Sequence, residues 1–233
     1  MIRLFINENL EEGMVFPLDE QKTHYLIHVM RCNAGDEILL FNGKDGEFRG
    51  KINQISKKKY ACYILEQTRK QEKTPSCILC PAIIKKENMD IVLQKATELG
   101  VSEIFPVITE RTVVRHFNLE RAKLIVAEAS EQSERLDCPV IHEPVYLCDL
   151  FQKLPQDIAL FFLSERGKTS LKKITVKRPA FLIGPEGGFT EKEVSYILGQ
   201  PCVSSIHLGT TILRAETASI AILSCWQYKG VFA

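Results

Sequence analysis

The sequence predicts an α/β protein: a small β-rich module at the amino terminus, then a larger domain built on a mainly parallel sheet with helices on both faces. Three observations lead there. Between Glu37 and Leu65, short apolar runs containing Ile, Phe and Tyr are separated by the turn pairs Asn42-Gly43 and Asp45-Gly46. From Thr68 to Ser76 the chain becomes polar and charged and carries Pro75, the composition of an interdomain linker. Beyond it, short apolar runs alternate with stretches of helical periodicity, the order expected around a parallel sheet. The boundary is placed near residue 73, giving domains at 1–73 and 74–233.

Bulk properties agree with two unequal units. A chain of 233 residues accommodates one core domain and a small module, and 45% hydrophobic with 25% charged residues is the composition of a globular protein rather than a disordered one. The eight cysteines are scattered singly through apolar stretches, which suits a reducing compartment and a cytosolic location. The amino terminus lacks the apolar core of a signal peptide, and runs such as Ile158 to Leu163 are too short to cross a bilayer, so no membrane role is expected. The net charge of +1 conceals segregation: residues 1–37 carry three Lys/Arg against seven Asp/Glu, residues 38–73 nine against four. Lys57-Lys58-Lys59 reads either as a phosphate-facing patch or as a solvated turn.

In the second domain, strands are expected at Ile78–Ile84, Glu103–Ile108, Ile158–Leu163, Ala180–Ile183 and Val203–Leu208. Asn88 is the expected cap of a helix whose Met89, Val92, Leu93, Ala96 and Leu99 form one apolar stripe, and Gly100 stands where a left-handed terminus belongs. Asn118 starts a second helix, expected to run to about Arg135. Along it Glu128, Glu131, Gln132 and Arg135 recur at helical spacing beside the apolar Ala122, Ile125, Val126 and Ala129. That polar stripe is either a site or subunit interface, or a solvated flank.

Candidate chemistry concentrates in two loops. Ala180 to Ile183 runs into Gly184-Pro185-Glu186-Gly187-Gly188 and then into a helix opened by a Thr190/Glu193 capping box. Glycines after a buried strand allow a ligand to approach the backbone where open α/β sheets place their sites; a merely connecting turn is the alternative. Neither G-x-G-x-x-G nor a P-loop is present, which disfavours pyrophosphate and triphosphate ligands. The segment Leu208-Gly209 to Thr217-Ala218 repeats the plan of strand, glycine loop and helix. Arg214, entering an apolar helix, needs a substrate or a partner, and Glu216 is the nearby possible partner. No metal is expected: Cys77 and Cys80 lack a second pair and would point to opposite faces of a strand, and His24 with His28 reads as a packed or surface pair. No Gly-x-Ser-x-Gly elbow suggests a serine hydrolase.

Four ordered motifs then carry a resemblance. Gln94 to Val101, Glu131-Gln132-Ser133-x-Arg135, Leu182 to Phe189, and Leu208-Gly209-x-x-Ile212-Leu213-Arg214-x-Glu216-Thr217-Ala218 closely resemble the ribosomal RNA small-subunit methyltransferase E family. Arg3, Val29-x-Arg31 and Gly35-Asp36 look like that family's PUA-like RNA-binding module. The resemblance implies S-adenosylmethionine as cofactor, methylation of N3 of a uridine in 16S ribosomal RNA, and a SPOUT fold whose carboxy-terminal part forms a trefoil knot, a rare exception to unknotted topology. It also implies a homodimer. The cofactor loops correspond to Ile183, Gly184, Pro185, Glu186, Gly187 and Gly188, and to Leu208, Gly209, Ile212, Leu213, Thr217 and Ala218.

A uracil N3 becomes nucleophilic only as its proton leaves, so negative charge develops on the flanking carbonyls and a positioned cation stabilises the transition state. Arg214 is the first candidate and Arg135 the second; Glu186 or Glu131 is the candidate to accept the proton or orient a water. The target base must be unpaired or flipped when it reacts. Arg3, Arg31, Lys51, Lys57, Lys58 and Lys59 are the expected RNA contacts, with RNA rather than DNA or a membrane as partner. The competing functions are a knotted methyltransferase acting on a ribose 2′-hydroxyl or on transfer RNA, and a non-catalytic ribosome-assembly factor.

Overall fold

The structure is a computed structural model that describes residues 1–57, 59–114, 116–164, 169–170 and 176–228. The chain divides into two compact units, Met1–Lys73 with Ser130–Cys138, and Thr74–Ala129 with Pro139–Ala233.

In the first unit β1 (Arg3–Phe5), β2 (Val15–Pro17), β3 (Glu37–Phe41), β4 (Glu47–Ser56) and β5 (Lys59–Arg69) form a sheet ordered β1-β3-β4-β5-β2, parallel only between β1 and β3. A short helix α1 (Glu20–Thr23) is capped by Asp19 and widens into a π-turn segment, His24–Val29. Alternate residues turn inward, so Ile38, Leu40, Ile52, Cys62 and Ile64 build the core with Leu26. Between β3 and β4, Asn42 shapes the turn: its Oδ1 accepts the N–H groups of Lys44 at 3.0 Å and Asp45 at 2.9 Å. β5 extends through Thr68 and Arg69, so the linker-like stretch is shorter than its composition suggests. These two residues lack apolar periodicity, and Thr68 is held through its hydroxyl to the Glu47 carbonyl and carboxylate.

The second unit contains β6 (Ile78–Pro81), α2 (Lys86–Glu98), β7 (Glu103–Ile104), β8 (Val107–Ile108), α3 (Leu119–Gln132), β9 (Val140–Ile141), β10 (Val145–Tyr146), α4 (Leu147–Lys153), β11 (Ala159–Leu163), β12 (Thr169–Ser170), β13 (Pro179–Ile183), α5 (Glu191–Leu198), β14 (Val203–His207) and α6 (Ala215–Gln227); the last turn of α3 groups with the first unit. Seven strands form one parallel sheet ordered β12-β14-β11-β13-β6-β7-β9. β13 is buried throughout, and its side chains alternate between two cores. Phe181 and Ile183 join Cys77 and Leu79 against α2, α3 and α6, whereas Ala180 and Leu182 join Ile78 and Cys80 against α4 and α5. Cys77 and Cys80 thus face opposite sides of the sheet, as their offset predicts. Burying Phe181 alone contributes about 2 kcal/mol.

Several boundaries differ from the sequence reading. The expected strand Glu103–Ile108 breaks at Phe105-Pro106: Glu103–Ile104 joins the large sheet, and Val107–Ile108 pairs with β10 in a separate ladder. Proline has no N–H to continue the first ladder. The first strand stops at Pro81. Lys85 rather than Asn88 caps α2; its extended backbone ends the loop, and its carbonyl accepts the Met89 N–H at 2.9 Å. Asn118 does cap α3, accepting the Arg121 N–H at 2.9 Å, and Gly100 adopts φ +84° after α2. α3 ends at Gln132 because Glu134 turns left-handed at φ +58°, which takes Arg135 off the helical face of Glu128 and Glu131. Among the described residues no helix is long and apolar enough to cross a membrane.

Candidate functional site

Because the strands of the large sheet are parallel, the loops after β6, β13 and β14 leave it at the same edge, where open α/β sheets carry ligands. The first glycine loop is anchored from several sides. A Cβ on Gly184 would lie 2.7 Å from the Phe189 ring, so glycine allows that ring to close under the backbone. Phe189 in turn meets Phe162 edge-on at 5.3 Å. The Gly188 N–H donates to the Pro185 carbonyl at 2.8 Å, closing a turn whose Gly188 has φ +66°. Arg111 donates to the Gly187 carbonyl at 2.8 Å.

The capping box that follows is formed in both directions: Glu193 N–H to Thr190 Oγ1, and Thr190 N–H to Glu193 Oε2. Glu193 is buried, and its Oε1 also accepts the Glu110 N–H at 2.8 Å. Glu186 is left exposed on the loop. It lines a cavity of about 190 Å³ together with Ile83, Lys85, Arg111, Val113 and Gly187. A larger apolar cleft of about 400 Å³, between Ile108, Tyr146, Leu147 and Tyr196, includes no residue of either glycine loop.

On the second loop, Ile183's counterpart Leu208 is half-buried and Gly209 has φ +142°. A Cβ on Gly188 or Gly209 would meet nothing within 4 Å, so both face open space. Ile212 is 73% exposed. Arg214 forms the N-cap of α6 through its backbone, its carbonyl accepting the Ala218 N–H at 2.8 Å. Its side chain is exposed and has no hydrogen-bonding or ionic partner among the described residues; the anticipated pair with Glu216 is not formed. Glu216 Oε2 is buried without a partner. Thr217 is exposed on the first turn of α6, while Ala218 packs inward.

Other expected site residues lie in the first unit and have structural duties. Arg3 is buried: it donates to Glu47 at 2.8 Å, to the carbonyls of Ser130 and Glu131 at 3.1 Å and of Arg135 at 2.8 Å, and lies over the Phe41 ring. It is not the RNA-facing cation expected from sequence, because its donors are already committed. Arg135 pairs with Asp137 at 3.0 Å with its side chain 10% exposed, and Glu131 Oε1 accepts the Phe5 N–H at 2.9 Å. These residues are therefore not brought together with the glycine loops within one unit. Arg31, Lys51, Lys57 and Lys59 are exposed, whereas Lys58 lies outside the described residues.

Sequence reasoning missed Arg111, which steadies a loop 76 positions away. It also missed the second bond of Glu193 and the ring beneath Gly184. Only the capping-box spacing signalled part of this. His24 and His28 form an exposed ring pair at 5.3 Å. Burial pushes the Cys62 thiol up to about 12 and the Cys138 thiol likewise to about 12, so both behave as small hydrophobes rather than nucleophiles.

Comparison with known proteins covers both units. Residues 70–227 match an RNA methyltransferase domain family, and residues 18–64 match an RNA methyltransferase PUA domain. A ribosomal RNA small subunit methyltransferase E of Rickettsia conorii is 35% identical, covering 98% of this chain and 96% of its own. The protein of the same name from Bacillus subtilis is 31% identical over 98% and 97%. A crystal structure of a ribosomal RNA small subunit methyltransferase E from Neisseria gonorrhoeae, bound to S-adenosyl methionine, superposes with a TM-score of 0.90 at 30% identity, covering 100% of both chains. With full-length identity at this level and both of its domain families matched, this chain belongs to the ribosomal RNA small subunit methyltransferase E family.

Proposed function

We propose that this chain transfers a methyl group from S-adenosylmethionine to N3 of a specific uridine in 16S ribosomal RNA, acting in the cytoplasm as a homodimer on a small-subunit particle. The observation that carries this reading is the edge of the parallel sheet at which two glycine loops emerge, with the uncommitted side chain of Arg214 at the head of α6. The residues fit such a cofactor. Open space over Gly188 and Gly209 admits a ligand against the backbone. Leu208, Ile212 and Leu213 offer accessible apolar surface while Ile183 and Pro185 are buried, Gly184 and Gly187 keep the loop close, and Thr217 and Ala218 begin the helix beyond it. When bound, the cofactor supplies an electrophilic methyl on a sulfonium.

The protein's own part is to hold the uracil and stabilise its charge. As N3 loses its proton, charge spreads to the two flanking carbonyl oxygens, and Arg214 donates to them from the helix head. Glu186, exposed beside the cavity, orients the cofactor or a water. Arg135 is committed to Asp137, which favours Arg214 for this role. Arg31, Lys51, Lys57 and Lys59 contact RNA phosphates. A trefoil knot at the carboxy terminus belongs to the same reading; support comes from the strand order, in which β14, last in sequence, lies between β11 and β12.

The test is transfer of isotopically labelled methyl to small-subunit particles and to naked 16S RNA, followed by mass spectrometry of the digested RNA. N3-methyluridine at one position is expected. Label on a ribose, or in transfer RNA alone, would favour the ribose or transfer-RNA reading, and no transfer together with no cofactor binding would favour a non-catalytic factor.

A further inference from the structure

Arg111 reaches the first glycine loop from a turn that is itself fixed. Thr109 and Thr112, both buried, close that turn: Thr112 Oγ1 accepts the Thr109 N–H at 2.9 Å and lies 2.9 Å from the Thr109 hydroxyl, and the Thr112 N–H donates to the Thr109 carbonyl at 3.1 Å. Glu193 holds the Glu110 N–H between them. From this base the Arg111 stem crosses Gly187, where an added Cβ would lie 3.5 Å from Arg111 Cβ and 3.6 Å from its Cδ, and Nη1 donates to the Gly187 carbonyl at 2.8 Å. Nε and Nη2 have no partner among the described residues. A guanidinium placed in advance loses little freedom when it binds a ligand.

We propose that Arg111 and Lys85 form a subsite for one backbone phosphodiester of the substrate RNA, and that Arg111, holding Gly187 with the same guanidinium, couples RNA binding to the cofactor loop. The inference rests on the methyl-transfer reading above.

Both cations are exposed and line one cavity of about 190 Å³ with Glu186 and Gly187. Lys85 comes from the loop after β6, at the head of α2, and Gly187 from the loop after β13, so the sheet edge brings them together. Among the described residues neither Lys85 nor Glu186 forms a side-chain hydrogen bond or ion pair, so the carboxylate in the cavity does not engage the cations. Two cations and one carboxylate leave a single net positive charge, which matches a phosphodiester monoanion better than a nearly dianionic free phosphate. The volume is below the roughly 300–1,000 Å³ of pockets that enclose a drug-sized ligand, so one charged group fits rather than a whole nucleoside. Arginine supplies a fork of N–H donors to phosphate oxygens, and lysine a point charge.

A phosphate on Nε and Nη2 restrains the guanidinium whose Nη1 holds Gly187, between Glu186 and Gly188 of the loop that carries the cofactor in this reading. RNA bound there favours the ordered loop, and by linkage the cofactor raises RNA affinity by the same factor.

The experiment uses full-length wild type, K85Q and R111K, small-subunit ribosomal RNA, and S-adenosylhomocysteine, the demethylated cofactor, so that no turnover occurs. RNA affinity is titrated at several salt concentrations, and cofactor affinity is measured by calorimetry with and without saturating RNA. In wild type, RNA is expected to raise cofactor affinity about fivefold or more. K85Q keeps cofactor affinity without RNA within about twofold, lowers the slope of log K against log salt by about 0.7–0.9, the value for one phosphate, and reduces the RNA effect on the cofactor to less than about twofold. R111K keeps the charge, so its slope stays within about 0.3 of wild type, but it loses the fork that serves both partners and with it the RNA effect. An unchanged slope in K85Q, or an equal RNA effect in all three proteins, would overturn the assignment. A fall in K85Q cofactor affinity without RNA would do the same, giving the cations to the cofactor's own carboxylate. Inorganic phosphate that raised cofactor affinity as RNA does would assign the cavity to a free anion instead. A wild-type protein that transfers no methyl and binds no cofactor would remove the methyl-transfer reading, and this inference with it.

Discussion

Arg214 and Arg3 both stand beside the start of a regular element, and burial separates their duties. Arg214 leaves its guanidinium in solvent, so its removal costs no internal bond. R214A is expected to lower single-turnover transfer about 100-fold or more while changing cofactor affinity by less than about threefold, since a group acting on developing charge contributes little to the ground state; calorimetry beside quench-flow kinetics checks it. Arg3 is the reverse case, its donors all engaged inside the first unit. Asp45 adds a pH dependence. The Leu10 N–H and the Asn42 amide hold its carboxyl below the usual value near 3.8. A depressed folded value means that its contribution is complete above the unfolded value and disappears as pH falls through the folded one. D45N is therefore expected to lower the unfolding midpoint near neutrality and to flatten its decline below about pH 4, as thermal melts across that range would register.

At the scale of elements, helix punctuation governs the site. The Thr190/Glu193 box was legible because capping is local chemistry with a fixed three-residue spacing. Its extension to Glu110 was not, since that partner is brought in by β8 and the turn after it. E193A would orphan the N–H groups of Thr190 and Glu110, and we expect a loss of about 1–3 kcal/mol by urea denaturation with impaired cofactor binding, because the glycine loop opens directly onto this cap. Elsewhere, composition misled. Glu103–Ile108 has one continuous apolar character yet serves two sheets, because Pro106 interrupts the ladder. Thr68 and Arg69 read as linker but pair as strand, their contacts being polar.

For the molecule as a whole, the charge segregation of the first domain has a surface to act through, since Lys51, Lys57 and Lys59 are exposed on β4, β5 and the turn between them. Replacing these three by alanine is expected to weaken RNA binding at low salt and to reduce the slope of log K against log salt by about 2. A titration at several ionic strengths measures both, and an unchanged slope would remove the patch from the interface. The sequence by itself determined the two-part organisation, the central strands, the glycine loops and the helices that follow them, because periodicity, turn chemistry and capping are read within a few residues. Tertiary structure alone decided the strand order, the burial of Arg3, the commitment of Arg135 to Asp137, the bracing of Gly187 by Arg111 and the unpartnered Glu216. Each depends on which distant donor, acceptor or ring the folded chain brings alongside, and one-dimensional spacing carries no record of that.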